Sequence, residues 1–130
     1  RSSDLLFRSP NINAALGCAQ LENLDRYVAD KRETAACYAE FFKGKEDITF
    51  FTEPADCKSN YWLNAVVLKD KAAQLDFLEY TNDHGVMTRP VWELMNRLPM
   101  FEHCETDGLE NTEWLADRVV NIPSSVRLDK

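Results

Sequence analysis

The stretch LENLDRYVADKRETAACYAEFFKGKEDITFF, residues 21–51, holds the change of pattern that decides the fold. After Gly44 the pattern has a period of two, and the run ITFF at residues 48–51 predicts a short strand. Before Gly44, apolar residues recur at the spacings of one α-helical face: Leu21, Leu24, Val28, Ala35, Tyr38 and Phe42. The sequence therefore predicts a helix that ends near Gly44 and is followed by a sheet.

The predicted helix is long for a chain of this size. Ser9 and Pro10 are a typical helix start, because Ser9 can cap free N–H groups and Pro10 has no N–H to leave unpaired. A helix over residues 10–43 would extend about 50 Å, at about 1.5 Å per residue. We expect it to project toward, or cross onto, another body, and Gly17, which lies among small residues, marks a place for close packing or a bend.

The segment after the first strand predicts two more strands with a helix between them. The second strand covers residues 61–68, and the helix carries Leu75, Phe77 and Leu78 and ends in a left-handed turn at Gly85. The third strand covers residues 86–91, where Pro90 restricts it to an edge of the sheet or to its own end.

The last third of the chain predicts mostly loop, followed by one helix. That helix starts near Asn111 and Thr112, either of which can cap it, and ends at Pro123. Its apolar residues are Trp114, Leu115, Val119 and Val120. The order of elements predicts the fold class α+β, a two-layer small domain with a long N-terminal helix and a short antiparallel or mixed sheet. The expected organisation is a single domain: a lead-in over 1–8, the helix over 9–44 and the α+β body over 45–130.

Composition excludes several functional classes. The chain has 130 residues, a formal net charge of −7 and 45% hydrophobic residues, which is enough to fill a core and argues against disorder. An acidic chain without a basic stripe is not expected to bind nucleic acid. No apolar stretch approaches the roughly 18–20 residues of a membrane span, so no membrane partner is expected. The four cysteines are too far apart for a redox or zinc pair, and we expect them to be reduced in the cytoplasm.

Few residues carry a chemical signal. His103 and Cys104 could be combined with Cys57 or His84 as metal ligands, but the spacings match no zinc pattern, and no metal site is expected. The four glycines are scattered along the chain, so no glycine-rich loop is predicted to bind a phosphate. No residue is expected to be catalytic. The stretch TRPVW at residues 88–92 is more informative, because Arg89 suits a carboxylate or phosphate and Trp92 offers a flat face for a base or sugar.

Both aromatic stretches also have structural explanations. Arg89 could be an ordinary surface residue beside a core Trp92. The cluster of Asn60, Tyr61 and Trp62 at the start of the second strand could likewise be edge packing. The sequence pattern leaves these alternatives open.

Four segments, taken in order, resemble one known family. Residues 8–17, which read RSPNINAALG, together with Gln20 and Leu21 resemble the segment R-M-P-N-x-N-A-A-L-G-x-x-Q-L of DegT/DnrJ-type pyridoxal-phosphate-dependent nucleotide-sugar aminotransferases. Segments 59–64, 88–100 and 111–125 resemble the C-terminal region of the same family. They are most similar to the branch that aminates 4-keto-6-deoxy sugars for bacterial surface glycans.

The resemblance implies that this chain is the small C-terminal domain of a fold-type I aminotransferase, inactive alone. In that family the lysine that holds pyridoxal phosphate lies in a larger domain, so neither catalytic nor cofactor-binding residues are expected here. Arg89 and Trp92 are the residues expected to contact the nucleotide-sugar substrate. Two positions depart from the family: Leu6 stands where relatives have an Asn that reaches the cofactor phosphate, and Val91 where many have His.

The same resemblance implies a cytoplasmic enzyme that forms a homo-oligomer through its long helix. An alternative from another functional class is a free-standing interaction or ligand-binding domain derived from such an enzyme.

Overall fold

A computed structural model describes residues 11–127, so the predicted helix start at Ser9 and Pro10 and the departure at Leu6 lie outside the described residues. The helices are α1 (Asn11–Glu22), α2 (Leu24–Phe42), α3 (Lys71–Asp83) and α4 (Glu110–Ala116), with one 3₁₀ turn (Met95–Arg97). The strands are β1 (Ile48–Phe50), β2 (Asn64–Leu68), β3 (Arg89–Pro90) and β4 (Val119–Ile122).

The four strands form one antiparallel sheet in the order β1-β2-β4-β3. Cross-strand partners share a face, so the pairs Phe50–Val66 and Val66–Val120 place these three side chains on one side. That side is the core, and it is covered by α2 and α3 through the following residues: Ala35, Tyr38, Phe42, Ala73, Phe77 and Leu78. The predicted α+β, two-layer architecture is therefore confirmed, with a fully antiparallel sheet.

The long helix is interrupted at Asn23, which corrects the prediction of one helix over residues 10–43. The Asn23 side chain donates from Nδ2 to the Ala19 carbonyl at 3.0 Å, while the Asn23 backbone N–H bonds to Gln20 instead. A side chain that takes the i−4 carbonyl competes with the helical ladder. Gly17 lies inside α1, so the break comes six residues after the position where a bend was expected.

The segment predicted to continue the last helix is instead β4, a strand that pairs with β2 on one side and β3 on the other. α4 ends at Ala116, and Val119 and Val120 belong to the sheet, with Val120 fully buried. Gln74 of α3, with 0% of its surface exposed, fixes this change of direction: its Nε2 donates to the carbonyls of Ala116 and Val119, both at 2.9 Å. Pro123 therefore follows a strand, not a helix.

Three other boundaries differ from prediction. β2 starts at Asn64 rather than residue 61, because Tyr61 has a φ of +46° and its N–H bonds to the Ser59 hydroxyl in a turn. β3 contains only two of the residues 86–91, although Pro90 does lie in an edge strand as expected. α4 begins at Glu110 without a side-chain cap, so the predicted capping by Asn111 or Thr112 is wrong.

α3 follows the sequence signals more closely. It begins at Lys71, after Asp70, whose side chain caps it by accepting a hydrogen bond from the Ala73 N–H at 2.8 Å. It ends before Gly85, whose φ of +76° confirms the expected left-handed turn.

Charged residues of α2 fix the loop 51–63 against the body. Arg32 forms a forked pair with Glu53, with distances of 2.6 and 3.0 Å, and also donates to the Ser59 carbonyl at 2.6 Å. The Ser59 N–H donates to the same carboxylate, and the Glu53 N–H donates to the Tyr61 hydroxyl at 3.1 Å. Lys31 of α2 donates to the Trp62 carbonyl at 3.2 Å. The loop that leads into β2 is thus held by two neighbouring cations of one helix.

The Arg32–Glu53 pair makes the folding stability of the chain depend on pH in the acid range. The hydrogen bond from Arg32, and next the one from the Ser59 N–H, lower the pKa of Glu53 from 4.5 to about 2. A carboxylate whose pKa is lower when folded stabilises the fold fully above its unfolded pKa, and that contribution is lost as the pH falls from about 4.5 toward 2. Glu53→Gln should therefore lower the melting temperature at pH 6 and flatten its decline over that acid range.

Glu102→Gln, which changes an exposed glutamate of the segment 98–109, is the matched control. Melting followed by circular dichroism across pH 2–6 measures both variants. A Glu53→Gln curve parallel to that of the original chain throughout the acid range would contradict the assigned role of the pair.

Candidate functional site

Arg89 lies on the face of the sheet opposite the one that α2 and α3 cover. It pairs with Asn121 of β4, and Asn121 pairs with Ala65 of β2, so these three side chains share one face. The neighbouring Pro90 pairs with the buried Val120 and belongs to the core face. Side chains of a strand alternate between faces, so Arg89 points away from α2 and α3.

The guanidinium of Arg89 is available to an anion. The side chain is exposed, and its Nη2 lies 3.5 Å from the sulfur of Met87. Within residues 11–127 it forms no ion pair, whereas Arg32 and Arg127 are paired with carboxylates of the body. An exposed guanidinium of this kind has the donor geometry to bind a phosphate or carboxylate ligand.

Trp92 is also exposed, at 85% of its surface, which makes the core-Trp alternative wrong. It follows β3 by two residues and lies at the rim of an apolar concavity of about 560 Å³. The wall of that concavity includes Leu94, Met95, Phe101, Cys104 and Leu109. Arg89 does not line it, so the structure places the two predicted residues on successive segments without joining them in one pocket.

The other aromatic cluster lies at the opposite end of the sheet. β2 and β3 both run antiparallel to β4 and so point in the same direction, yet Trp62 precedes β2 and Trp92 follows β3. Tyr61 packs against the core, as the edge-packing explanation requires, whereas Trp62 remains 67% exposed. Asn60 accepts a hydrogen bond from the Trp62 N–H at 3.0 Å and so shapes the turn.

The residue before Arg89 is held by contacts that the sequence did not predict. Thr88 is buried, and its hydroxyl lies 2.6 Å from that of Thr81 and accepts a hydrogen bond from Asn82 Nδ2 at 3.0 Å. Asn82 Nδ2 also donates to the Thr88 carbonyl at 3.1 Å. We call these three residues the Thr88 lock. The turn signal at Gly85 indicated that the chain reverses here, but not which side chains would meet across the turn.

The described residues do not fit a site for a pyridoxal phosphate imine. A lysine that forms an imine is usually desolvated in a pocket, which favours its neutral form. Here Lys31 donates to two backbone carbonyls and is half-buried, and the other five lysines within residues 11–127 are exposed. No group of three His, Cys, Asp or Glu side chains within the same range could hold a metal ion. Nor does that part of the chain contain a helix of the length and apolarity needed to cross a bilayer.

Comparisons with known proteins agree with this fold. The chain is 29% identical over 122 residues to EpsN of Bacillus subtilis (strain 168), a match that covers 91% of this chain and 31% of EpsN. It is 28% identical over 120 residues to the GDP-perosamine synthase of Escherichia coli O157:H7, covering 91% of this chain and 32% of that enzyme. The chain therefore spans about one third of the length of these relatives.

The solved structure of an aminotransferase, TlmJ from Streptoalloteichus hindustanus, superimposes with a TM-score of 0.84 at 22% identity. The superposition covers 94% of this chain and 33% of TlmJ, and it shows a shared fold. The family description "DegT/DnrJ/EryC1/StrS aminotransferase family" matches residues 6–130, which is almost the whole sequence. The chain belongs to the DegT/DnrJ/EryC1/StrS aminotransferase family.

Proposed function

We propose that this chain is the C-terminal domain of a pyridoxal-phosphate-dependent aminotransferase acting on a nucleotide-linked 4-keto-6-deoxy sugar in surface-glycan biosynthesis. Family membership supports amino transfer, and the name GDP-perosamine synthase supports a nucleotide-sugar substrate. The match to about one third of each relative supports a larger domain elsewhere in the enzyme. The cysteines at 18, 37, 57 and 104 are all free and exposed, which favours the cytoplasm.

The larger domain, in this proposal, supplies the cofactor site. The lysines within residues 11–127 are surface residues or donate to backbone carbonyls, so we assign the imine-forming lysine to that other domain. The chain described here contributes to substrate binding and to assembly, and no catalytic residue is assigned to it.

The observation that carries the proposal for the substrate is the free guanidinium of Arg89. It is exposed on the sheet face opposite the helices, where no carboxylate within residues 11–127 pairs with it. A nucleotide-sugar carries a diphosphate, whose oxygens match the donor geometry of a guanidinium. The exposed indole of Trp92 on the following segment is the proposed stacking partner for a base or sugar ring.

α1 is the proposed contact to another body, either the larger domain or a second subunit of a homo-oligomer. None of its residues is buried within this chain. Ile12 and Leu16, one helical turn apart, are 82% and 61% exposed. Apolar residues that repeat on one helix face and remain exposed usually mark an interface.

The first test separates the enzyme fragment from the free-standing domain. Residues 1–130 and the full-length product of the reading frame that encodes them are each mixed with pyridoxal phosphate. One portion of each mixture is assayed for amino transfer, and a separate portion is reduced with borohydride to fix any imine on its lysine. We expect a cofactor adduct on a unique lysine, and activity, only in a full-length product that contains a larger domain. A unique-lysine adduct or amino transfer with residues 1–130 alone would overturn the assignment. A full-length product without either property would favour the ligand-binding domain.

The second test addresses Arg89 in the full-length product. Arg89→Ala should weaken binding of the nucleotide-sugar by roughly 1.5–3 kcal/mol, the range for a hydrogen bond to a charged group, with cofactor loading unchanged. Arg89→Lys, which keeps the charge but loses the forked geometry, should fall between. Arg26→Ala, which removes an exposed charge from α2, is the control, and calorimetry gives the affinities. Unchanged affinity in folded Arg89→Ala would make Arg89 an ordinary surface residue.

Trp92→Ala tests the proposed nucleotide-sugar contact independently of Arg89. Because Trp92 is exposed, its removal should change folding stability by no more than about 0.5 kcal/mol while weakening nucleotide-sugar binding. Thermal melting is measured beside the affinity. A large loss of stability with unchanged affinity would contradict a role in binding.

The last test concerns α1. Residues 1–130 should self-associate through the exposed apolar face, and the double variant Ile12→Glu, Leu16→Glu should sediment with a smaller mass. Asn13→Glu adds a charge at another exposed position of α1 and should not change the mass. Sedimentation velocity measures all three proteins. A strict monomer at high concentration, with amide protection throughout α1, would count against an interface there.

A further inference from the structure

We propose that the Thr88 lock (Thr81, Asn82 and Thr88) sets the register of β3, and so decides which face of the sheet presents Arg89. The inference rests on the proposed function, because it assigns positioning residues to the Arg89 contact with the nucleotide-sugar. None of the three side chains is proposed to contact the ligand. Thr88 is buried, and Thr81 and Asn82 belong to the C-terminal turn of α3.

β3 has little of its own to fix its register. It is an edge strand of two residues, so only β4 pairs with it, through Arg89 and Pro90. Pro90 has no N–H and so cannot donate a backbone hydrogen bond to a neighbouring strand. Register is weakly specified where few hydrogen bonds and little buried apolar surface hold a strand.

The Thr88 lock supplies the missing constraint from the helix side. Successive residues of a strand point to opposite faces of the sheet. A Thr88 side chain held against α3 therefore directs Arg89 to the face opposite α2 and α3. A slip by one residue would turn Arg89 toward α3 and withdraw its guanidinium from the face where we place the ligand. The hydroxyl contact at 2.6 Å and the two bonds from Asn82 Nδ2 therefore select one of two alternative arrangements.

The partners of Thr88 are themselves fixed by α3. The Thr81 hydroxyl lies 2.7 Å from the Phe77 carbonyl, to which it can donate, and Asn82 Nδ2 also donates to the Leu78 carbonyl at 2.8 Å. The chain then reverses tightly, because the Val86 N–H bonds to the Thr81 carbonyl at 2.8 Å. The end of the helix thus presents a prepared set of polar atoms to Thr88, and the strand is aligned by them.

The test is a double-mutant cycle in the full-length product of the reading frame, with GDP, UDP and dTDP as the titrated ligands. Thr88→Val keeps the shape but removes the hydroxyl, and it should weaken binding about three- to tenfold, the range for one net hydrogen bond. Thr88→Ser restores the hydroxyl and should restore the affinity. In an Arg89→Ala background, Thr88→Val should have no further effect, because a positioning residue acts only through the residue it positions.

Thr81→Val removes the partner hydroxyl and provides a second variant if Thr88→Val does not fold. Thr49→Val is the control, because Thr49 is an exposed threonine on β1, the opposite edge of the sheet. Thermal melting of each variant shows that the proteins compared are folded.

The outcomes distinguish this inference from the proposed function. If Arg89→Ala weakens binding but folded Thr88→Val and Thr81→Val do not, the lock has no positioning role and the substrate proposal survives. Equal effects of Thr88→Val with and without Arg89 would also overturn positioning, since they would show an effect that does not pass through Arg89. If Arg89→Ala leaves binding of all three nucleotides unchanged, the inference and the substrate role of Arg89 are both wrong.

Discussion

The pairing of β4 between β2 and β3 is the interaction on which the rest of this domain depends. β4 is bonded to β2 on one side and to β3 on the other, and its Val120 is fully buried against the core. Without β4, the two-residue β3 would have no partner and Arg89 would have no defined face. A strand in this position turns two separate parts of the chain, the β1–β2 hairpin and the segment after α3, into one sheet. The candidate site therefore depends on a strand that carries neither Arg89 nor Trp92.

Polar side chains of α3 position both the start of β4 and the residue before β3. In its first half, Gln74 satisfies the carbonyls of Ala116 and Val119 and so fixes where α4 stops and β4 begins. At its C-terminal end, Thr81 and Asn82 hold Thr88 ahead of β3. Buried polar groups are costly when unpaired, so each set of hydrogen bonds favours one arrangement over its alternatives. One short helix thus specifies the placement of two neighbouring strands.

The two sides of the sheet differ in burial and in the residues they carry. The helix-covered side holds the buried residues that stabilise the domain, while the other side and the segment after β3 carry Arg89 and the exposed Trp92. α1 presents apolar residues that no part of the described chain covers. Membership of the DegT/DnrJ/EryC1/StrS aminotransferase family and a match to about one third of each relative support the proposal that this domain completes its site and its interfaces with other parts of an enzyme.

Local signals in the sequence were sufficient for the end of α2 near Gly44, for β1, for the Gly85 turn and for the edge position of Pro90, because each depends on residues close together in the chain. The four ordered motifs, in segments 8–21, 59–64, 88–100 and 111–125, were together sufficient to identify the family. The run VVNI at 119–122 follows a helical pattern and is too short to show its own period, so its strand state was decided by pairing with β2 and by Gln74, 45 residues away from Val119. The exposure of Trp92 and the facing of Arg89 were likewise decided only by tertiary structure. A side chain's face and burial depend on which distant segments pack beside it, and spacing along the chain does not contain that information.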